Sequence, residues 1–415
     1  MTKLYCAPGN GGISELAECV AMSPSDQAAL REFAATHEID LTVVGPEGPL
    51  AEGIVDEFER AGLRIVGPTR AAALLESSKA FAKDFMRRHG VPTADYAIAN
   101  STDEGLAMLR SGRFGGPDSP VVVKADGLAA GKGVVVAASR TEAARAMADL
   151  VSGVLVDQEA SEQILIEEAL EGREVSVLLF ADGRDYALMP AARDHKRIGE
   201  NDTGPNTGGM GAITDASVLD DQTLKQIVSE VVEPTLAGAS DEGFPFRGIL
   251  FIGLMLTSAG PKVLEYNVRF GDPETQAILL RLDSDLAEIF YAMTERKLRE
   301  VKVHWKSQSS ACVVAASAGY PGSYEKGRKI KGLTEVEGND NLQVFHAGTS
   351  RTPQGDFVTT GGRVLGIAAA NTTLQASLAD CYTTLAKISW DGMQYRRDIG
   401  RFKLSQKASG SESDS

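Results

Sequence analysis

Residues 121–137, VVVKADGLAAGKGVVVA, set a glycine-rich loop carrying Lys132 between two valine runs, with Lys124 at the end of the first run. Two common phosphate loops fail against it. A P-loop has four residues between its glycines and Ser or Thr after its lysine. Here Gly127 and Gly131 bracket three residues, and Gly133 follows Lys132. The dinucleotide fingerprint needs a third glycine where Val136 stands, and a helix directly afterwards. What remains is a β-hairpin whose loop is too glycine-rich for a tight turn. Such a loop lays backbone N–H groups against phosphate oxygens, and Lys124 and Lys132 offset polyphosphate charge. On these residues alone, a surface hairpin with incidental lysines reads the same way.

On the N-terminal side, short apolar strands alternate with helices. KLYCA (3–7), DLTVVG (40–45) and RIVG (64–67) read as strands. SPSDQAALREFAATH (23–37) reads as a helix capped by Ser23 with Pro24 in its first turn, and LAEGIVDEFERAGL (50–63) as one amphipathic helix. This alternation predicts a parallel, doubly wound α/β domain over 1–78. SSKAFAKDFMRRHG (77–90) is a helix stopped by Gly90 and Pro92.

On the C-terminal side, SRTE (139–142) opens a helix through a capping box of Ser139 and Glu142. Strands follow at QILIEEAL, EVSVLLFADG, GILFIGLML and PKVLEYNV, and a helix is expected over 274–299. The middle domain therefore runs 79–300, with the hairpin subdomain at about 93–165. Residues 301–404 form a small α+β domain, and 405–415 a disordered polar tail. The fold class is α/β and α+β, multidomain.

Composition excludes several functions. The 415 residues carry a formal net charge of −15, which opposes nucleic-acid binding. Cys6, Cys19, Cys312 and Cys381 are scattered without zinc spacing, as expected of reduced thiols in a cytoplasmic protein. GILFIGLML (248–256) is too short to span a bilayer, and no membrane association is expected.

Three further stretches carry chemistry. In VLEYNVRFGDPETQ (263–276), Glu265 and Asn267 stand at i and i+2, on one face of a strand, offering hard oxygens suited to Mg²⁺. In LIEEALEGREVSV (165–177), the connector between two strands could meet an adenine edge, with Glu174 reaching a ribose hydroxyl. ARDHKRIGENDTGPNTGGMGA (192–212) packs Arg193, His195, Lys196 and Arg197 beside a loop whose glycines are Gly199, Gly204, Gly208, Gly209 and Gly211. That loop could close over a carboxylate or phosphate.

Taken together, SSKAFAKDFM, VVVKADGLAAGKGVVV, LIEEAL, DHKR, TGPNTGGMGA, EYNVRFGDPETQ, HAGT and GGRVL resemble the phosphoribosylamine–glycine ligase family of the ATP-grasp superfamily, from about residue 5 to about residue 404. The resemblance implies an ATP-grasp fold, ATP and Mg²⁺ (or Mn²⁺) as cofactors, glycine and 5-phosphoribosylamine as substrates, and a monomer. It implies activation of the glycine carboxylate as an acyl phosphate.

Carried over position by position, Lys79, Lys124, Gly131, Lys132 and Gly133 contact ATP phosphates. Glu167, Glu168, Ala169 and Leu170 border the adenine, with Glu174 at the ribose. Glu265 and Asn267 hold the metal. Lys196, Arg269 and Asp272 are expected at the chemistry, and Asp194, His195, Arg197, Asn206, Gly209, Gly271 and Glu274 at the substrates. The chain departs from the family by starting at the strand KLYCA, without the preceding strand and GxGGREHAL segment, and it has Arg193 and Ile213 at positions where other residues are usual. Two alternatives stay open: another ATP-grasp carboxylate–amine ligase, or a nucleotide binder without turnover.

Overall fold

The computed structural model describes residues 3–128, 133–152, 163–336 and 340–401. Gly131, Lys132 and the 405–415 tail lie outside the described residues. No described helix is long and apolar enough to cross a membrane.

The N-terminal strands pair in parallel, Tyr5–Cys6 with Glu18–Cys19 and Thr42–Val43 with Ile65–Val66, as two separate pairs. Two helices differ from the sequence reading. The first spans Gln27–Thr36, because the Asp26 carboxylate accepts from Ala29 N at 3.1 Å and takes over the cap expected of Ser23. The second divides into Glu47–Glu52 and Ile54–Arg60 at Gly53, whose φ of +94° is open to glycine at little cost.

The hairpin of the opening stretch forms. Val121–Ala125 pairs antiparallel with Val134–Ala137, Lys124 facing Val134. It belongs to a four-stranded lid sheet with Ile164–Glu168 and Tyr96–Ala99. Val121, Val123 and Ile166 pack against Met147 and Leu150 of helix Arg140–Val151.

The central sheet runs Tyr186–Leu188, Arg173–Asp182, Arg247–Thr257 and Gly260–Asn267, all antiparallel. Both faces are covered, which explains the apolar runs. Val175, Val177 and Leu179 enter the core shared with Leu75 and Phe85, while Leu178 and Phe180 enter one shared with Ile289 and Phe290. The ladder shifts register between Gly253, opposite Glu265, and Leu254, opposite Val263. Leu264 is thus an extra residue, and such a bulge changes the phase of a strand. Val263 and Tyr266 both face the core, and Glu265 and Asn267 are left on the open side.

The expected helix over 274–299 breaks into Glu274–Leu279 and Leu286–Thr294, because the Asp285 side chain caps a fresh start by accepting from Ala287 N at 2.7 Å. The C-terminal sheet is built on Ser309–Ser317, buried throughout, and Arg363–Asn371. Its far edge is supplied by the glycine-rich segment: Arg193–Asp194 pairs with Gly211–Thr214, which pairs with Ser309–Ser317. That pairing brings the glycine-rich loop against the central sheet.

Candidate functional site

A cavity of about 490 Å³ opens where the lid sheet, the central sheet, the glycine-rich loop and the C-terminal sheet meet. Lys79 begins the helix Lys79–Arg88, whose cap is Ser78, accepting from Phe81 N at 3.1 Å. Asp126, just after the hairpin's first strand, accepts from Ala80 N and Ser78 Oγ at 3.1 Å each, tying the helix start to the lid. Lys79 Nζ donates to Gly127 O at 2.6 Å. Burial lowers the pKa of Lys79.

Behind Lys79 lies a buried row of charges. Glu167 forms ion pairs with both neighbouring lysines, Oε1 lying 2.9 Å from Lys124 Nζ and Oε2 2.8 Å from Lys83 Nζ. Lys124 also donates to Leu264 O at 3.1 Å, the carbonyl of the bulged residue. Burial pushes Lys83 down to about 8. Burial would raise Glu167, but Lys124 and Lys83 overcome it and the carboxylate stays below its ordinary value.

On the central strand, Glu265 and Asn267 line the cavity. Burial works against the ionised form of Glu265, and the charges of Lys196, Lys124, Lys79 and Arg269 outweigh it, holding its pKa low. Lys196 Nζ lies 3.2 Å from Glu174 Oε2 and 4.0 Å from Glu265 Oε1. The Glu174 charge is the main reason its pKa stands well above the ordinary lysine value. Arg269 pairs with Glu47 at 3.3 Å and Glu76 at 3.1 Å, and Nη2 donates to Asn267 Oδ1 at 3.3 Å. Glu76, raised by burial to about 7, accepts from Val268 N at 2.6 Å and fixes the strand end.

The third wall holds Asp194, Asn206, Gly271, Asp272 and Glu274. Burial raises Asp194 to about 6 and Glu274 to about 8, Glu274 with help from the Asp194 charge. Lys196 O accepts from both the backbone N and the Oγ1 of Thr207 at 2.8 Å, which folds the glycine-rich loop over the lysine.

The structure therefore gathers Lys79, Lys124, Gly133, Glu167, Asp194, Lys196, Asn206, Glu265, Asn267, Arg269, Gly271, Asp272 and Glu274 around one cavity, and Glu174 reaches it through Lys196. Other expected residues stand elsewhere. His195 and Arg197 alternate with Asp194 and Lys196 and so face away from the cavity. His195 Nε2 accepts from Gly400 N at 2.9 Å, and Arg197 Nη1 donates to Gly204 O at 2.7 Å. Glu168 pairs with Lys262 at 2.8 Å, outside the cavity lining, and Ala169 and Leu170 are also absent from it. Gly209 sits just behind the wall, where its backbone takes φ +108° against Pro273.

Several lining residues escaped the sequence reading, among them Glu47, Glu76, Lys83 and Arg363. Lys83 lies within the stretch read as the helix 77–90, where it is given no role of its own. Arg363, inside the quoted GGRVL, donates to Gly208 O at 2.6 Å and pairs with Asp272 at 2.8 Å across the cavity mouth.

Comparison with known proteins matches three family models along the chain: the phosphoribosylglycinamide synthetase N domain over residues 1–76, its ATP-grasp (A) domain over 77–275, and its C domain over 310–402. A phosphoribosylamine–glycine ligase of Caldanaerobacter subterraneus subsp. tengcongensis is 46% identical over 397 residues, covering 96% of this chain and 93% of the relative. One of Brucella melitensis biotype 1 is 45% identical over 400 residues, covering 96% and 92%. Among solved structures, the phosphoribosylamine–glycine ligase of Thermotoga maritima superimposes with a TM-score of 0.78 at 32% identity, covering 95% of this chain and 93% of that one. The biotin carboxylase domain of a Hydrogenobacter thermophilus 2-oxoglutarate carboxylase, solved with MgADP, reaches a TM-score of 0.70 at 16% identity, covering 95% and 86%, a likeness of fold alone.

Proposed function

The chain belongs to the phosphoribosylglycinamide synthetase family, and from that premise we propose how its cavity carries out the family's reaction. The chain is an ATP-dependent carbon–nitrogen ligase of purine synthesis that joins glycine to 5-phosphoribosylamine, giving glycinamide ribonucleotide, ADP and phosphate. ATP lies with its phosphates toward Lys79 and Lys124 and the lid loop, and its adenine toward the connector after Ile164–Glu168. The glycine carboxylate is received by Lys196 and Arg269.

Magnesium or manganese fits Glu265 and Asn267. Among the described residues no group of three or more His, Cys, Asp or Glu could cage a metal, but Mg²⁺ commonly takes one or two protein carboxylates and leaves other positions to phosphates and water. Glu265 is kept ionised by its lysine neighbours, as a ligand must be. When bound, the ion neutralises phosphate charge.

The chemistry needs no covalent enzyme intermediate. A glycine carboxylate oxygen attacks the terminal phosphorus of ATP, and the bond to ADP breaks. The ribosylamine nitrogen then attacks the acyl carbon of glycyl phosphate, loses a proton, and expels phosphate. Lysines and backbone amides stabilise charge that develops on the transferred phosphoryl group.

The observation that carries this reading is the convergence of Lys79, Lys124, Lys196 and Arg269 on the wall bearing Glu265 and Asn267, within one cavity. The test is a coupled assay of ADP release with product identification by mass spectrometry. ADP formation requiring both glycine and phosphoribosylamine supports it. Tight ATP binding without product would leave only a nucleotide binder. We further take the active species to be a cytoplasmic monomer, to be checked by light scattering.

A further inference from the structure

Lys83 lines the cavity's inner wall and is 2% exposed, and its ammonium is turned to partners within the protein. Its ammonium has two partners. One is Glu167 Oε2 at 2.8 Å; the other is Thr93 Oγ1 at 2.7 Å. Thr93 in turn donates to Val263 O at 2.7 Å, and Val263 N donates to Pro92 O at 2.8 Å. Lys83 therefore stands at the joint where the chain leaves the central sheet's edge for the lid, one residue from the bulge that presents Glu265.

The charges around Glu167 give the position a purpose. Lys83, Glu167 and Lys124 together carry one net positive charge. Glu167 divides its two oxygens between the lysines, so Lys124 is oriented by one oxygen and by Leu264 O while the triad keeps a surplus cation. If Lys83 were neutral, Glu167 would cancel Lys124 entirely. The triad would then present no net charge to a polyphosphate, and in a buried site that difference is weakly screened.

We propose that Lys83 is a positioning residue for nucleotide binding: by holding Glu167 it keeps Lys124 both aimed and electrostatically available to the phosphates of ATP. This rests on the functional reading above and deepens it at the nucleotide site.

The test compares Lys83→Met with the charge-balanced pair Lys83→Met/Glu167→Gln in the full chain, measuring binding of MgATP and of adenosine by calorimetry. In Lys83→Met, Glu167 still has Lys124, so no buried charge is orphaned and circular dichroism should report a folded protein. MgATP binding should weaken on the order of tenfold to a hundredfold, the worth of one or two charge-assisted contacts. Adenosine, which carries no phosphate, should bind as it does to wild type. The double variant returns positions 83, 124 and 167 to one net positive charge, borne by Lys124, and should recover most of the MgATP affinity. Equal losses for MgATP and adenosine, or a double variant as weak as Lys83→Met, would overturn the proposal by showing that Lys83 only supports the fold. Unchanged MgATP affinity in Lys83→Met would overturn it as well. If wild type fails to bind MgATP at all, the functional reading itself falls.

Discussion

Arg363 holds Asp272 at two points: Nη2 meets Asp272 Oδ2 at 2.8 Å and Nη1 donates to Asp272 O at 2.9 Å. The same Nη1 reaches Gly208 O at 2.6 Å, so one guanidinium from the C-terminal sheet ties the central domain to the glycine-rich loop. Arg363→Ala removes these bonds, with a longer one from Nη1 to Gly209 O at 3.4 Å, and leaves Asp272 without its cation. We expect stability to fall by about 1–3 kcal/mol. Turnover should fall on the order of a hundredfold through misplacement of the cavity wall. Denaturant unfolding and steady-state kinetics measure the two effects separately.

Glu265→Ala removes the ionised carboxylate offered to the metal. Its side chain is 36% exposed at the cavity and fills no core position, so the fold and melting temperature should hold. Turnover should drop by at least about a hundredfold and not recover on raising Mg²⁺. Wild-type rates in this variant would remove the metal assignment.

Glu274 gives a pH dependence with a definite sign. Burial, and next the Asp194 charge, raise it from 4.5 to about 8. A raised carboxyl contributes stability that is complete below the unfolded value and lost as pH rises through the folded one. Glu274→Gln cannot titrate, so its melting temperature relative to wild type should climb by a few degrees between pH 5 and pH 9. A constant difference across that range would contradict the burial argument.

Gly209 has φ +108°, and a Cβ there would lie 2.4 Å from Pro273 Cδ. Gly209→Ala should therefore cost about 1–3 kcal/mol in denaturant unfolding. An unperturbed midpoint would mean that the loop shifts freely.

Much of this architecture is legible in the sequence because it is written locally. The hairpin around Lys124 follows from two valine runs and a loop that no tight turn explains. The face shared by Glu265 and Asn267 follows from strand alternation. The same alternation, applied through DHKR, would have separated Asp194 and Lys196 from His195 and Arg197, which the motif's density obscured. The bulge at Leu264 leaves no local mark, since strict alternation would put Val263 on the face of Glu265. Helix interruptions at Gly53 and Asp285 depend on which cap wins once the chain packs. Lys83 and Arg363 act through partners distant in sequence, Glu167 and Asp272, and only the assembled fold brings those pairs together.

The most direct test of the central claim follows oxygen. With glycine labelled by ¹⁸O in both carboxylate oxygens, mass spectrometry of the phosphate formed with ATP and phosphoribosylamine should find one labelled oxygen per turnover, carried over by the acyl phosphate. Phosphate without label, formed together with glycinamide ribonucleotide, would show that the carboxylate never met the terminal phosphoryl group in this cavity.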